Sequence, residues 1–183
     1  MSLRYAGFQA ATILTTTGFT TADYARWPFF AQTVLFILMF IGGCSGSTGG
    51  GIKVIRITAL FKQGIHEMKY LSHPRGVFSL RLGGGSLKKD TIYSISGFFF
   101  LYLLMLLVTA FVVASGGNDI LTSLSSALVT LGNIGPGFGK IGPTLNYAFY
   151  PDYIKWFLSF AMMVGRLEVY TVLVLLTPKF WRG

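Results

Sequence analysis

Two uncharged glycine segments in the sequence have the composition needed to coordinate an ion through the backbone. The first is the run Thr15-Thr16-Thr17-Gly18-Phe19-Thr20-Thr21, and the second is Gly132-Asn133-Ile134-Gly135-Pro136-Gly137-Phe138-Gly139. Glycine adopts backbone dihedrals that other residues resist, which lets successive carbonyl groups turn toward one point. Carbonyl oxygens arranged in this way replace the hydration shell of a monovalent cation. Gly18 and Gly135 can supply the required dihedrals.

Each glycine segment follows a short predicted helix, Leu3–Leu14 or Ile120–Leu131. Both helices have about twelve residues, fewer than the roughly 20 that cross a membrane. Gly18 and Gly135 lie 117 residues apart, which indicates an internal repeat. Irregular backbone at membrane depth is tolerated only inside protein or beside water, so the repeated pattern favours a pore lining. The alternative is that these glycines merely end helices as C-caps.

The composition is that of an all-α integral membrane protein. Of the 183 residues, 52% are hydrophobic and 11% are charged, against roughly 25% charged in soluble domains. The uncharged stretches Trp27–Ile52 and Thr91–Asn118 are each long enough to cross the bilayer. Thr91–Ser115 is the strongest predicted span, and Tyr153–Thr177 is predicted to be the last one.

The basic residues are concentrated between two apolar spans. The positive-inside rule therefore places residues 53–90 and the C-terminus in the cytoplasm, and Val77–Leu82 followed by glycines predicts a small hairpin there. The eight basic residues of this segment are Lys53, Arg56, Lys62, Lys69, Arg75, Arg81, Lys88 and Lys89. Nucleic-acid binding is not expected, because no aromatic platform or reading motif accompanies them.

No enzymatic site is predicted. The sequence offers no paired catalytic carboxylates, no nucleophile–histidine arrangement and no metal spacing, and the two histidines are expected to be solvated surface residues. The single cysteine, Cys44, excludes an intramolecular disulfide. We expect no intrinsic cofactor.

The glycine-rich stretch Gly42–Gly51 interrupts an apolar helix that begins at Phe29. This stretch is not expected to be a phosphate-binding loop. Gly51 is followed by Ile52 instead of lysine, and no βαβ unit is predicted around the stretch. A mobile loop stabilised by hydrogen bonds from Ser45, Ser47 and Thr48 is one interpretation. A simple kink or a close contact between helices is the other.

Arg166 lies near the middle of the predicted span Tyr153–Thr177. A charge facing lipid there costs at least about 2.5–3.5 kcal/mol, so Arg166 must face protein or water. Glu168 points to a different face of the helix and is not the obvious partner of Arg166 within that helix. A purely structural buried ion pair remains an alternative for both residues.

Four motifs, TTTGFTT, GGCSGSTGGGIK, LGNIGPGFG and VGRLE, occur in this order, and the resemblance that they carry covers essentially the whole chain. In order and spacing they resemble the TrkH/TrkG/KtrB superfamily of potassium transporters. That family has four repeats around one pore, each with an outer helix, a pore helix, a filter strand and an inner helix. The resemblance implies that residues 1–70 form the third repeat without its outer helix, that residues 71–90 form a cytoplasmic loop, and that residues 91–183 form the fourth repeat.

The resemblance also implies residue roles. Departures from the potassium-channel filter at Thr20, Asn133 and Pro136 imply a less regular filter. The K⁺ filter, acting through backbone carbonyls, would be Thr16, Thr17, Gly18, Phe19 and Thr20 together with Asn133, Ile134, Gly135, Pro136 and Gly137. The intramembrane gate would be Gly42, Gly43, Cys44, Ser45, Gly46, Ser47, Thr48, Gly49, Gly50 and Gly51 together with Arg166.

The family further implies partners and a location. These are a homodimer of complete subunits in the prokaryotic inner membrane, and a cytosolic regulator of the TrkA or KtrA type that carries the nucleotide. We expect N-terminal repeats of the same subunit to precede Met1. The rival functions are an ion-coupled secondary cation symporter, which could also use broken helices, and a non-conducting assembly subunit.

Overall fold

The computed structural model describes residues 2–44, 46–47, 49–73, 81–82, 85–86, 89–175 and 177–182. These residues are mostly helical, as expected for an all-α membrane protein. Among them one helix, Asp90–Ala114, is both long and apolar enough to cross a membrane. Its outward residues are apolar, with Phe100 and Phe111 exposed by 65% and 78%. Such a surface suits lipid and not water.

The first half of the chain contains three helices. Helix α1 spans Ser2–Leu14, helix α2 spans Phe29–Phe40, and helix α3 spans Val54–Ser72. A single 3₁₀ turn, Tyr24–Arg26, precedes α2, and the side chain of Asp23 caps this turn by accepting a hydrogen bond from the amide of Ala25 at 3.1 Å. The predicted helix Leu3–Leu14 and the predicted helix start at Phe29 agree with α1 and α2 to within one residue.

The glycine-rich stretch forms a loop whose two ends pair with each other. Strand β1, Ile41–Gly42, runs parallel to strand β2, Ile52–Lys53, with Ile41 opposite Ile52 and Gly42 opposite Lys53. The amide of Val54 also donates to the carbonyl of Gly43 at 3.3 Å. The stretch is therefore a closed loop, and a simple helix kink does not describe it.

The second half is built around a buried short helix. Helix α4 spans Lys89–Ala114, α5 spans Ile120–Gly132 and α6 spans Asp152–Leu167. Helix α5 packs mainly against α4 and α6, and nearly every residue from Thr122 onward is buried. Two of its hydroxyls are satisfied within the helix: Ser126 donates to the carbonyl of Thr122, and Thr130 donates to the carbonyl of Ser126.

The last predicted span is not one helix. Helix α6 ends at Leu167, Glu168 adopts a positive φ of 65°, and α7, Val169–Leu175, follows. A short helix α8, Pro178–Arg182, comes after it. Leu167, Glu168 and Val169 include no glycine or proline, so the residues at the break give no local sign that the helix stops there.

A two-stranded antiparallel hairpin lies in the segment between α3 and α4. Strand β3, Arg81–Leu82, pairs with strand β4, Gly85–Ser86. The strand predicted at Val77–Leu82 lies mostly outside the described residues, as does the turn at residues 83–84.

Candidate functional site

Helix α1 ends in a left-handed turn at a residue other than glycine. The amide of Thr16 donates to the carbonyl of Ile13 at 3.0 Å, and the amide of Thr17 donates to the carbonyl of Thr12 at 2.9 Å. Thr16 itself has a φ of 53°. This pair of hydrogen bonds is a Schellman motif, and Thr16 occupies the position that glycine usually fills.

Helix α5 ends in the same way. The amide of Asn133 donates to the carbonyl of Thr130 at 3.1 Å, and the amide of Ile134 donates to that of Val129 at 2.9 Å. Asn133 has a φ of 53°, equal to that of Thr16. The side chain of Asn133 adds a bond to the carbonyl of Met162 at 3.0 Å, which ties this turn to α6.

Gly18 and Gly135 lie two residues beyond these turns. Their φ angles are 79° and 107°, values that side-chain-bearing residues rarely adopt. The cap position of each helix is already taken by Thr16 or Asn133, so the glycines are not the helix C-caps. The repeat seen in the sequence is therefore also a repeat of backbone conformation.

The two glycine segments touch each other. A Cβ atom added to Gly18 would overlap the carbonyl group of Ile134, and it would also lie 3.2 Å from the Cδ atom of Pro136. Two stretches more than a hundred residues apart in sequence are therefore in direct backbone contact. Only glycine fits at position 18.

Two tyrosines hold carbonyl groups of the second segment. The hydroxyl of Tyr24 donates to the carbonyl of Gly137 at 2.9 Å, and that of Tyr147 donates to the carbonyl of Gly135. Burial raises the pKa of both phenols, so both remain protonated donors. No local pattern in the sequence indicates these bonds, because each joins residues that only the fold brings together.

Backbone and hydroxyl groups fix the end of the second segment against α5. The amide of Gly137 donates to the carbonyl of Ile141 at 2.8 Å, and the amide of Phe138 donates to Ser125 Oγ at 2.6 Å. A Cβ atom on Gly137 would overlap the Ser125 hydroxyl. The buried helix thus positions the segment that follows it.

Other carbonyls of the two segments have no protein donor within the described part of the chain. This holds for residues 16–20 and for Asn133, Ile134 and Pro136. Neutral carbonyl oxygens of this kind can replace the hydration shell of a monovalent cation. No group of three or more histidine, cysteine or acidic side chains able to hold a metal lies among the described residues.

The glycine-rich loop lies directly beside both helix ends. A Cβ atom on Gly49 would come within 2.8 Å of Thr16 Oγ1, and one on Gly50 would come within 2.6 Å of the carbonyl oxygen of Gly132. Inside the loop, Ser47 Oγ accepts a hydrogen bond from the amide of Gly49 at 3.1 Å, as predicted for a stabilising hydroxyl. Ser45 and Thr48 lie outside the described residues.

Arg166 faces a cavity that it shares with the loop. The cavity has a volume of about 380 Å³, and its lining includes Ser47, Gly49 and Gly51 as well as Arg166. Its wall on the α4 side is formed by Phe98 and Tyr102. No hydrogen bond joins Arg166 to the described residues of the loop, so the bond to loop carbonyls suggested by the sequence is not formed in this conformation.

Glu168 has a partner that the sequence did not indicate. Its carboxylate accepts hydrogen bonds from Lys53 Nζ at 3.0 Å and from Arg56 Nη2 at 2.8 Å. The expectation that Glu168 does not pair with Arg166 agrees with this arrangement. Because Arg56 lies 112 residues away along the chain and Lys53 lies still farther away, only the folded chain reveals these partners.

The fold is that of a helical membrane protein in which paired glycine segments meet beside a glycine-rich loop. Residues 2–182 match the model of the TrkH family, described as a cation transport protein. The chain belongs to this family, and a membrane location follows from that membership.

Relatives and a solved structure agree with the family. The chain is 46% identical over 181 residues to the Trk system potassium uptake protein TrkH of Salmonella typhimurium, covering 99% of this chain and 37% of that protein. It is 40% identical over 178 residues to the Trk system potassium uptake protein TrkG of Escherichia coli K12, covering 96% of this chain and 36% of that protein.

The crystal structure of the potassium transporter TrkH from Vibrio parahaemolyticus superposes with a TM-score of 0.86 at 45% identity, covering 95% of this chain and 37% of that one. This chain thus spans little more than a third of the length of these relatives. They are transporters, and the chain is not an enzyme.

Proposed function

We propose that this chain forms part of the potassium-conducting subunit of a Trk-type uptake system and supplies two of its four pore repeats. The observation that carries the proposal is the repeated helix end: α1 and α5 stop in identical turns, each followed by a positive-φ glycine, and the two glycine segments touch. In this assignment residues 1–70 are the third repeat, residues 71–90 a cytoplasmic connection, and residues 91–183 the fourth.

The filter proposed here comprises residues 16–20 and 133–137. Carbonyls without a protein donor, described above, would replace water around K⁺. The carbonyls of Gly135 and Gly137 are already bonded to tyrosines, so the second strand would offer fewer ligands than a regular channel filter. This supports a pathway whose discrimination against Na⁺ is modest.

The proposed gate is the loop Gly42–Gly51 together with Arg166. The loop contacts the ends of both short helices, which is the position from which it can close a path leading away from the filter. Arg166 is exposed to the cavity beside the loop, where its positive charge raises the barrier to a cation. Membrane potential would drive entry by about 2.3 kcal/mol per charge per 100 mV.

The rest of a longer subunit would complete the pore. Helix α5 is covered by α4 and α6, whereas α1 leaves apolar side chains uncovered, among them Leu3 at 87% and Phe8 at 43% exposure. The relatives are also much longer than this chain. In the complete protein we expect preceding repeats to cover α1, lipid to cover the outer surface, and two complete subunits to form a dimer in the bacterial inner membrane.

The cytoplasmic partner proposed is a nucleotide-binding regulator of the TrkA or KtrA type. Helix α3 carries the basic residues Lys62 and Lys69, and such a surface would dock an acidic face of the regulator. Alanine at Lys62 and Lys69 is expected to weaken binding of the regulator in a pull-down at low salt. Unchanged binding would remove this contact.

A chimeric subunit provides the test of conduction. In it this chain replaces the matched segment of Vibrio parahaemolyticus TrkH, and ⁸⁶Rb⁺ uptake is measured in a potassium-uptake-deficient bacterium and in proteoliposomes. Uptake by the chimeric subunit is expected, together with its loss in Gly135→Ala. Gly117→Ala is the matched control, because both glycines have positive φ and open space around a Cβ atom.

Each outcome separates the rival functions. No uptake by the correctly folded chimeric subunit would leave an assembly role, and equal uptake in Gly135→Ala and Gly117→Ala would defeat the filter assignment. Flux that saturates and depends on a Na⁺ or H⁺ gradient would identify a coupled symporter. Dissipative flux that follows the membrane potential alone supports the proposed conduit.

A further inference from the structure

An apolar groove lies between helix α2 and the beginning of helix α5. It has a volume of about 310 Å³, and none of the residues that line it is charged. Phe29 at one end and Leu121 on the opposite wall are 86% and 50% exposed, so the groove is open to the outside of the chain. The lining residues are Phe29, Gln32, Thr33, Phe36, Leu121 and Phe138.

The two polar side chains of the groove already have partners within the chain. Gln32 Nε2 donates to the carbonyls of Ala25 and Trp27 at 2.9 and 2.8 Å. Thr33 Oγ1 donates to the carbonyl of Phe29 at 2.9 Å. Because these hydrogens are used, the groove offers mainly hydrocarbon to a ligand, and a polar ligand would lose its bonds to water there without compensation.

The surface around the groove is continuous with it and is also apolar. On α2, Phe30 and Ile37 are exposed beside the groove, and on α5 the same holds for Ile120, which precedes Leu121. Exposed apolar surface of this extent marks contact with a membrane or with another protein. Since the chain belongs to a family of membrane transporters, lipid is the natural neighbour of this surface.

The arrangement of helices indicates that a preceding outer helix would leave the groove open. In the second half of the chain, α4 packs against α5 and α6 of its own repeat. By the same arrangement, an outer helix before α1 would pack against α1 and α2, whereas the groove lies where α2 meets α5 of the other repeat. This step rests on the proposed repeats, while the groove itself does not.

The residues before α2 suit a lipid head group. Gln32 ties Trp27 to the end of the groove, and tryptophan is enriched at the boundary between membrane and water. The side chain of Arg26 is 87% exposed and pairs with Asp23 at 3.1 Å. Such an exposed pair is weak, so the Arg26 guanidinium remains available to a phosphate oxygen, for which its geometry is well suited.

The inner wall of the groove is Phe138 of the second glycine segment. Its ring packs against that of Tyr24 with centres 5.2 Å apart and lies 6.1 Å from that of Phe36. Phe138 directly follows Gly137, whose carbonyl accepts the hydrogen bond from Tyr24. A ligand in the groove would therefore touch the packing that supports the second glycine segment.

We propose that the groove binds one acyl chain of a membrane phospholipid, with the phosphate of the same lipid beside Arg26 and the chain packed against Phe138. The apolar lining recognises the chain, and the exposed guanidinium recognises the head group. A ligand that binds the folded state stabilises it, so the lipid raises the stability of the subunit. This site goes beyond ion conduction, and its occupation does not require that the subunit conducts.

The test uses the delipidated chimeric subunit in detergent, with a phosphatidylglycerol that carries a photoreactive diazirine in its acyl chain. Mass spectrometry is expected to find the label on residues 29–36, and an excess of unlabelled phosphatidylglycerol should remove it, whereas an excess of detergent should not. Leu121→Trp fills the groove and should lower this labelling about tenfold. Ile120→Trp is the matched control, because Ile120 is the exposed neighbour of Leu121 and does not line the groove.

Thermal unfolding of the same proteins is the second readout. Added phosphatidylglycerol should raise the unfolding temperature of the parent and of Ile120→Trp, and it should raise that of Leu121→Trp less. Arg26→Gln should increase the concentration of phosphatidylglycerol that is needed for half-maximal competition. If Leu121→Trp does not fold, Thr33→Phe fills the groove from the α2 side and takes its place.

Three results would overturn the proposed site. The first is a folded parent without label on residues 29–36, which is expected if a preceding segment of the subunit covers the groove. The second is label that detergent removes as well as phospholipid does, which would mean an adventitious amphiphile only. The third is equal labelling of Leu121→Trp and Ile120→Trp. An unchanged competition by phosphatidylglycerol in Arg26→Gln would overturn the head-group contact.

These measurements do not use ion flux, so they separate the lipid site from the proposed function. A subunit that fails to take up ⁸⁶Rb⁺ but shows the expected labelling would contradict conduction and support the lipid site. A subunit that conducts and shows no competed label in the groove would support conduction and overturn the lipid site.

Discussion

Gly18 lies against the backbone of Ile134 so closely that a methyl group on the glycine would occupy the space of the carbonyl oxygen. The contact joins the two glycine segments of the proposed filter. Its closeness leads to a direct test of how these segments depend on one another.

Gly18→Ala is expected to abolish ⁸⁶Rb⁺ uptake and to lower the thermal stability of the chimeric subunit. A left-handed conformation costs alanine about 1–2 kcal/mol, and overpacking against backbone typically adds about 1–3 kcal/mol. Uptake and the thermal unfolding temperature of the purified protein measure the two effects.

Gly7→Ala serves as the control for Gly18→Ala. Gly7 lies within α1, where nothing is within 4 Å of an added Cβ atom. Alanine there should keep uptake and stabilise the helix by about 0.5–1 kcal/mol. Normal uptake by Gly18→Ala would mean that the two segments are not held together as described.

Tyr24→Phe is expected to weaken discrimination between K⁺ and Na⁺. The substitution removes the hydrogen bond to Gly137, and it leaves a carbonyl without its donor, at a cost of about 1–3 kcal/mol when buried. Competition of Na⁺ with ⁸⁶Rb⁺ uptake measures the change. Tyr5→Phe, on the exposed side of α1, is the control. Na⁺ should compete with ⁸⁶Rb⁺ uptake by this variant to the same extent as with uptake by the parent.

Modification of Cys44 should reduce ion flux. Cys44 is exposed in the loop, and a bulky charged thiol adduct there would obstruct the path. A methanethiosulfonate reagent applied to proteoliposomes is expected to lower ⁸⁶Rb⁺ flux, and a reducing agent should restore it. The Cys44→Ser variant should conduct, and the reagent should not lower its ⁸⁶Rb⁺ flux. Equal inhibition of this variant would mean that the reagent acts on a thiol elsewhere.

Asp119 should make stability depend on pH in the acid range. Hydrogen bonds from the side chain and the amide of Thr122 lower the pKa of Asp119, which caps α5. A lowered pKa means that the stabilisation is complete above the unfolded-state pKa, about 3.9, and is lost as pH falls through the folded-state pKa. Thermal unfolding between neutral pH and pH 3 measures this loss.

Two variants isolate the contribution of Asp119. Asp119→Ala should cost about 1 kcal/mol at neutral pH, the usual loss for an N-cap. Asp119→Asn keeps an acceptor without the charge, so its stability should lose the part of the pH dependence that the carboxylate causes. Parallel pH profiles for the parent and Asp119→Asn would contradict the assignment.

The short helices and the long span could be predicted from sequence because each has a local boundary. The run of threonine and glycine after Leu14, and the run beginning at Gly132, mark where α1 and α5 stop. Asp90 and Ser115 bound the apolar core of α4 in the same way. Local composition is sufficient when a helix ends in residues that disfavour it.

The helix break and the tyrosine contacts could not be predicted in this way. Glu168 is an ordinary helix former, and both its positive φ and its ion pairs with Lys53 and Arg56 belong to the folded chain. Tyr24 and Tyr147 find their partners through turns whose course the sequence does not specify. The filter and gate roles were suggested by resemblance to a family, and the uptake, flux and labelling experiments test them.

The paired strands β1 and β2 separate the loop from the helices on either side of it. Since Ile41 lies opposite Ile52, the end of α2 and the start of α3 are joined by this pairing as well as by the loop. Changes of loop length are therefore best tolerated away from Gly49 and Gly50, which have to stay small because they lie against Thr16 and Gly132.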